Sequence, residues 1–198
     1  METAESLHAC WFGGEADESA ADRQSTLWWS KSAKLDAELA ARFTPMVEAA
    51  RAGALDQWAE TAQGALAFIL LTDQLPRNIY RGAPAAFASD PMARAVTVDG
   101  IERGTDRQLT PIERTFFYLP LEHAESLADQ ERSVSLYTQL SREAPASQGE
   151  RYRNYLDYAL RHRRVIERFG RFPHRNAIIG RQSTLEELAY LQEPGSSF

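Results

Sequence analysis

The chain has 198 residues, 43% of them apolar and 25% charged, with a net charge of −6 and a single cysteine, Cys10. That length suits one helical domain over 1–198 with a real hydrophobic core. The lone cysteine excludes a disulfide framework within the chain and fits a reducing cytoplasm. Its longest apolar run, Ala65 to Leu71, is far below the ~20 residues of a membrane span, and the N-terminus lacks the pattern of a signal peptide.

Thirty alanines against twelve valines and isoleucines favour helix over strand. In chain order, Leu35 to Ala52 reads as a helix stopped by Gly53, with Pro45 as a kink. Leu55 to Trp58 reads as a turn. Thr61 caps the apolar helix that carries Ala65–Leu71, and Pro76 is expected to limit it. Asp90 before Pro91 reads as a cap for a helix running toward Gly100 or Gly104. Thr110-Pro111-Ile112-Glu113 is a capping box. Pro120 is expected to separate that short helix from one over 121–143. Pro145 to Gly149 reads as a linker, residues 150–169 as a long helix stopped by Gly170, and Ser183/Thr184 with Glu186/Glu187 as the start of a last short helix. The expectation is all-α: seven or eight helices in stacked antiparallel pairs.

Charge is distributed unevenly. Segment 151–181 carries +7, residues 1–150 carry −10, and the tail carries −3. Twenty of the 22 basic residues are arginine, whose fork suits carboxylates and phosphates. The plain reading pairs the acidic half with the basic segment; the sharper one invokes an anionic partner.

Three helices place polar groups where the pattern wants apolar ones. Asp73 ends the apolar helix, where the helix dipole disfavours a carboxylate, so it needs a cation, and Arg77 is near. The stripe His123, Leu127, Gln130, Val134, Tyr137 puts His123 on a core face bordered by Glu122, Glu125 and Asp129. The stripe Tyr152, Tyr155, Ala159, His162, Ile166, Phe169 puts His162 on another. Beyond Gly170 comes the loop Arg171-Phe172-Pro173-His174-Arg175-Asn176, dense in chemistry. Each of these has a structural explanation, because buried charges need partners whatever their purpose.

Specific motifs are absent: no phosphate-binding glycine loop, dinucleotide fingerprint, metalloprotease His pair or nucleophile elbow. Nothing calls for a cofactor. Glu122, Glu125, His123, His162 and His174 match no strong metal-ligand spacing, so no metal is assigned. An acidic chain without an RNA-binding motif is not expected to bind nucleic acid.

Four motifs carry a family resemblance. They are Trp11-Phe12-Gly13; the run Asp73-Gln74-Leu75-Pro76-Arg77-Asn78-Ile79-Tyr80-Arg81-Gly82; the run Tyr118-Leu119-Pro120-Leu121-Glu122-His123-Ala124-Glu125 with Asp129-Gln130; and the run Phe169-Gly170-Arg171-Phe172-Pro173-His174-Arg175-Asn176 with Gly180-Arg181, Ser183-Thr184 and Glu186-Glu187. Together, over about 10–193, they resemble the bacterial domain-of-unknown-function family 924. Cys10 and Trp28-Trp29 depart from its usual residues. The resemblance implies a tetratricopeptide-like helical fold and brings no catalytic residue with it.

Three functional expectations follow. The first is an internal pocket binding or processing a small anionic ligand, lined by Asp73, Arg77, Asn78, Glu122, His123, His162, Arg171, His174, Arg175 and Asn176. If it is catalytic, His123 or His174 serves as acid/base, with Glu122 the further candidate. The second is a helical scaffold for a peptide or protein segment. The third is a polar core of purely architectural purpose.

Overall fold

The computed structural model describes residues 2–14, 16 and 19–196. Nine helices form among them: α1 Ala4–Phe12, α2 Ala20–Trp29, α3 Ala33–Arg51, α4 over 62–79, α5 Asp90–Glu102, α6 Pro111–Glu122, α7 Leu127–Glu143, α8 Gly149–Phe169 and α9 Leu185–Tyr190. Short 3₁₀ turns join several of them, and no described residue forms a strand. No helix is long and apolar enough to cross a membrane among the described residues.

The local end signals form as their chemistry demands. Thr61 accepts from the Gly64 N–H, and Thr110 with Glu113 and Thr184 with Glu187 close reciprocal capping boxes. Gly170, at φ +69°, ends α8 in a left-handed conformation that costs glycine nothing. Gly64 answers a different need. A Cβ there would sit 2.2 Å from the Trp58 carbonyl oxygen, so only glycine lets α4 lie against the preceding turn.

Helices α1 and α2 are additions to the sequence expectation, which began its helices at residue 35. Both are short, and tertiary contact sustains them. Trp11, Phe12, Trp28 and Trp29 surround Phe116 of α6, with ring centroids 4.6–5.9 Å from it. The Trp28 indole N–H donates to the Trp11 carbonyl at 2.8 Å. The Trp11-Phe12 motif is therefore core packing.

Two prolines expected to end helices do not. Pro76 cannot donate to the Thr72 carbonyl and its ring crowds that turn. The chain answers with a π turn, Leu70–Gln74, in which the Leu75 N–H reaches back to Leu70, and α4 continues through Leu75–Ile79. Pro120 lies inside α6, whose end is Glu122 rather than residue 119. Beside the lost bond, Tyr137 donates to the Thr115 carbonyl at 2.8 Å and Thr97 to that of Phe117 at 3.1 Å. His123 consequently caps α6 and does not belong to α7, which starts after Ser126.

The basic segment divides its pairs. Arg151, Arg175 and Arg181 reach Asp22, Asp90 and Glu125 in the acidic half. Arg161, Arg163, Arg168 and Arg171 pair with Asp157, Glu167, Glu186 and Glu187, within the basic segment or the tail.

Candidate functional site

The π turn sets the site. It carries Asp73, fully buried, to the side of α4 facing the end of α6. His123 Nδ1 lies 2.8 and 3.0 Å from the two Asp73 oxygens. A carboxylate only accepts, so Nδ1 carries the proton and Nε2 keeps the lone pair. Gln74 donates to Asp73 Oδ2 at 2.5 Å, and Arg77 lies 3.3 Å from Oδ1. Burial works against the Asp73 charge, but Arg77, His123 and Gln74 together hold its carboxyl below the usual range.

Asp90 joins two arginines. Arg77 grips it with both nitrogens, at 3.0 and 3.1 Å, and Arg175 Nη1 reaches it at 3.4 Å. The Arg175 guanidinium is clamped between the rings of Phe87 and Phe172, 4.9 and 4.6 Å from their centroids. It is 7% exposed, and its Nε is buried without a hydrogen-bond partner. Burial, with Arg77 beside it, pulls its pKa down to about 10.

On the inner side, His162 Nδ1 lies 3.0 Å from Glu122 Oε1 and 2.9 Å from the Tyr158 carbonyl. Burial, then the Asp73 charge, pushes Glu122 up to about 8. Burial and His123 pull His162 down to about 3. The pair is therefore a carboxylic acid beside a neutral imidazole, not an ion pair. Burial also lowers His123, against the pull of Asp73. His174, next to Phe172 at 5.6 Å between rings, falls to about 4 through burial and the Arg175 charge.

The Asp73 carboxylate sits beside Arg77, Asp90 pairs with Arg77 and Arg175, and burial keeps Glu122, His123, His162 and His174 neutral. An acid and a base stand side by side at neutral pH, their titrations driven in opposite directions by their surroundings. The cluster meets solvent at Arg77, Asp90 and His123, whose side chains are 21%, 19% and 14% exposed.

Of the expected residues, Asp73, Arg77, Glu122, His123, His162, His174 and Arg175 converge here. Asn78 instead donates to Asp36 at 2.9 Å, where Arg81 also binds, tying α4 to α3. Arg171 grips Glu187 at 2.6 and 2.8 Å, and Asn176 donates to Ser183 and Glu187, which holds the 171–176 loop against α9. No group of three or more metal-ligating side chains forms a cage among the described residues. Two surface cavities, of about 350 and 680 Å³, lie elsewhere and are lined by no member of the cluster.

Sequence reasoning missed Asp90, Gln74 and the clamp of Phe87 and Phe172. Asp90 was expected to cap α5, but Ser89 holds the cap position and Asp90 is the first helical residue. A carboxylate in a first turn is already favoured by the helix dipole, so its sequence position carried no signal of the two arginines it meets.

A family model described as a bacterial protein of unknown function, DUF924, matches residues 7–195. Among solved structures, a protein of unknown function from Agrobacterium tumefaciens is similar: 38% identity over 88% of this chain and 99% of that one, with a TM-score of 0.75. No curated protein matches.

Proposed function

The chain belongs to the bacterial family of unknown function DUF924, and we propose that its central cluster is an acid–base site for a small oxyanion, a carboxylate or phosphate ester. Arg175, helped by Arg77, holds the anion. His123 Nε2, oriented by Asp73, takes a proton from the substrate. Glu122 is the acid that returns one, and His174 stands at the same site as the second imidazole.

The observation that carries this reading is Arg175. A guanidinium with five donors is buried between two rings, and among the described residues its only hydrogen bond to a side chain is the 3.4 Å contact to Asp90. A structural arginine at that depth ordinarily satisfies its donors. A bound oxyanion would do so in bidentate geometry.

The test is a screen of carboxylates and phosphate esters by thermal shift, on the wild type and on Arg175→Lys. Stabilisation at a hundredfold excess over Kd amounts to about 2.7 kcal/mol. Stabilisation of the wild type that is lost in Arg175→Lys, which keeps the charge without the fork, supports the site. No response in the wild type, or an equal response in the variant, leaves the cluster architectural.

The same reading keeps the helices as stacked pairs of tetratricopeptide-like kind, supported by the packing of α6 on α7 and of α7 on α8. Leu185 and Leu188, exposed on α9, favour the alternative of a scaffold for a peptide segment; titration with apolar peptides, read by shifts on α9, tells the two apart.

A further inference from the structure

Away from the cluster, α8 and the C-terminal turn enclose the cavity of about 350 Å³, lined by Arg161, Arg164, Val165, Arg168, Phe169 and Tyr190, with Pro194 and Gly195 at its edge. That volume lies near the lower end of small-molecule sites, and one of about 150 Å³ already accepts benzene.

The three arginines fall three and four residues apart, so one face of α8 carries them all. Two are matched: Arg161 with Asp157 at 2.6 Å and Arg168 with Glu186 at 2.9 Å. Arg164 is exposed and has no ion pair or hydrogen bond among the described residues. Arg164 is therefore the one arginine of this face without a matched carboxylate among the described residues, and the Glu193 charge acts on Tyr190 rather than on it.

Its floor is largely apolar, formed by two rings tilted 48° to one another. Phe169 and Tyr190 lie 5.0 Å apart between ring centroids, and Val165 is buried beside them. The Arg168 guanidinium covers both rings, at 4.7 and 5.8 Å. Arginine stacked on aromatics extends a platform on which another ring can lie.

We propose that this groove binds an aromatic monocarboxylate, its ring on the Phe169–Tyr190 floor and its carboxylate on Arg164. One unmatched cation selects a single negative charge over a dianionic phosphate, and the floor selects a ring over a bare anion. This site is independent of the acid–base cluster.

The probe is 3-phenylpropanoate, titrated into the full chain and followed by backbone amide NMR. Saturable shifts over the second half of α8 and over 190–195 are expected, with none for acetate, which lacks the ring, or for 3-phenylpropanol, which lacks the charge. Arg164→Gln, on an exposed position that leaves the fold intact, should weaken binding roughly tenfold, the loss of one hydrogen bond to a charged group. Arg153→Gln, on the same helix but outside the groove, should leave it unchanged. No saturation by about 10 mM, equal binding by Arg164→Gln, equal binding of acetate or the alcohol, or shifts centred on His123 and Arg175 would each overturn the proposal. Tighter binding of phenyl phosphate would overturn its choice of ligand.

Discussion

Asp73 accepts a hydrogen bond from His123 Nδ1 at 2.8 Å across fifty residues of sequence. One partner comes from a π turn inside α4 and the other from the cap of α6, so the dyad exists only where those two irregularities meet. Its consequences are testable.

Asp73→Ala removes a fully buried carboxylate, leaves the His123 Nδ1–H without its acceptor and leaves Arg77 to Asp90 alone. The expected loss is about 1–3 kcal/mol, the cost of leaving a buried donor unsatisfied. Urea unfolding of the two proteins measures it. A loss below about 1 kcal/mol would contradict the burial and pairing described.

Glu122 predicts an unusual pH dependence. Its folded pKa, about 8, is raised above the unfolded value near 4.3. The stability it contributes is complete below the unfolded value and is lost as pH rises through the folded one. The lowered histidines act oppositely, but only below their unfolded value of about 6.5. Between about pH 6.5 and 8 the Glu122 effect is no longer opposed by those histidines, and it should lower stability with pH at up to about 1.4 kcal/mol per unit. Glu122→Gln should flatten that slope. An equal slope in wild type and variant, from urea midpoints at the two pH values, would assign the titration elsewhere.

Gly64→Ala puts a methyl group 2.2 Å from a backbone oxygen that cannot move aside without shifting the turn over 56–60. A destabilisation of about 1–3 kcal/mol is expected, the range for overpacking a tight contact. A melting temperature equal to the wild type's would mean that the turn yields freely.

Phe116→Ala should cost about 3–5 kcal/mol, because four rings from α1 and α2 pack on this one side chain. Hydrogen exchange should show residues 4–12 and 20–29 losing protection first. Uniform loss across the chain would refute the dependence of those helices on Phe116.

Much of the fold was legible without coordinates. The capping boxes at Thr110 and Thr184, the Thr61 cap and the Gly170 stop are contacts within four residues, and residue type alone satisfies them. The rule-breaking positions Asp73 and His162 were likewise visible, because a charge or imidazole on an apolar stripe contradicts its own helix; His123 was singled out on a stripe of a helix that starts only after it. The membership of their cluster was not. Asn78, Arg171 and Asn176 offer side-chain N–H donors as Arg77 and Arg175 do, but partners 7–42 residues away, Asp36, Ser183 and Glu187, claim them.

Periodicity, capping residues and the absence of β-branched runs determined the all-helical class and where most helices begin, since those depend on bonds each segment makes with itself. Tertiary structure decided whether Pro76 and Pro120 end a helix, because a π turn accommodates the first and side chains from other helices bond the carbonyls on either side of the bond lost to the second. It also decided that Asp90 serves two arginines rather than a cap. A carboxylate bonds whichever donor the packing brings nearest, and that choice is written in the arrangement of helices, not in any one of them.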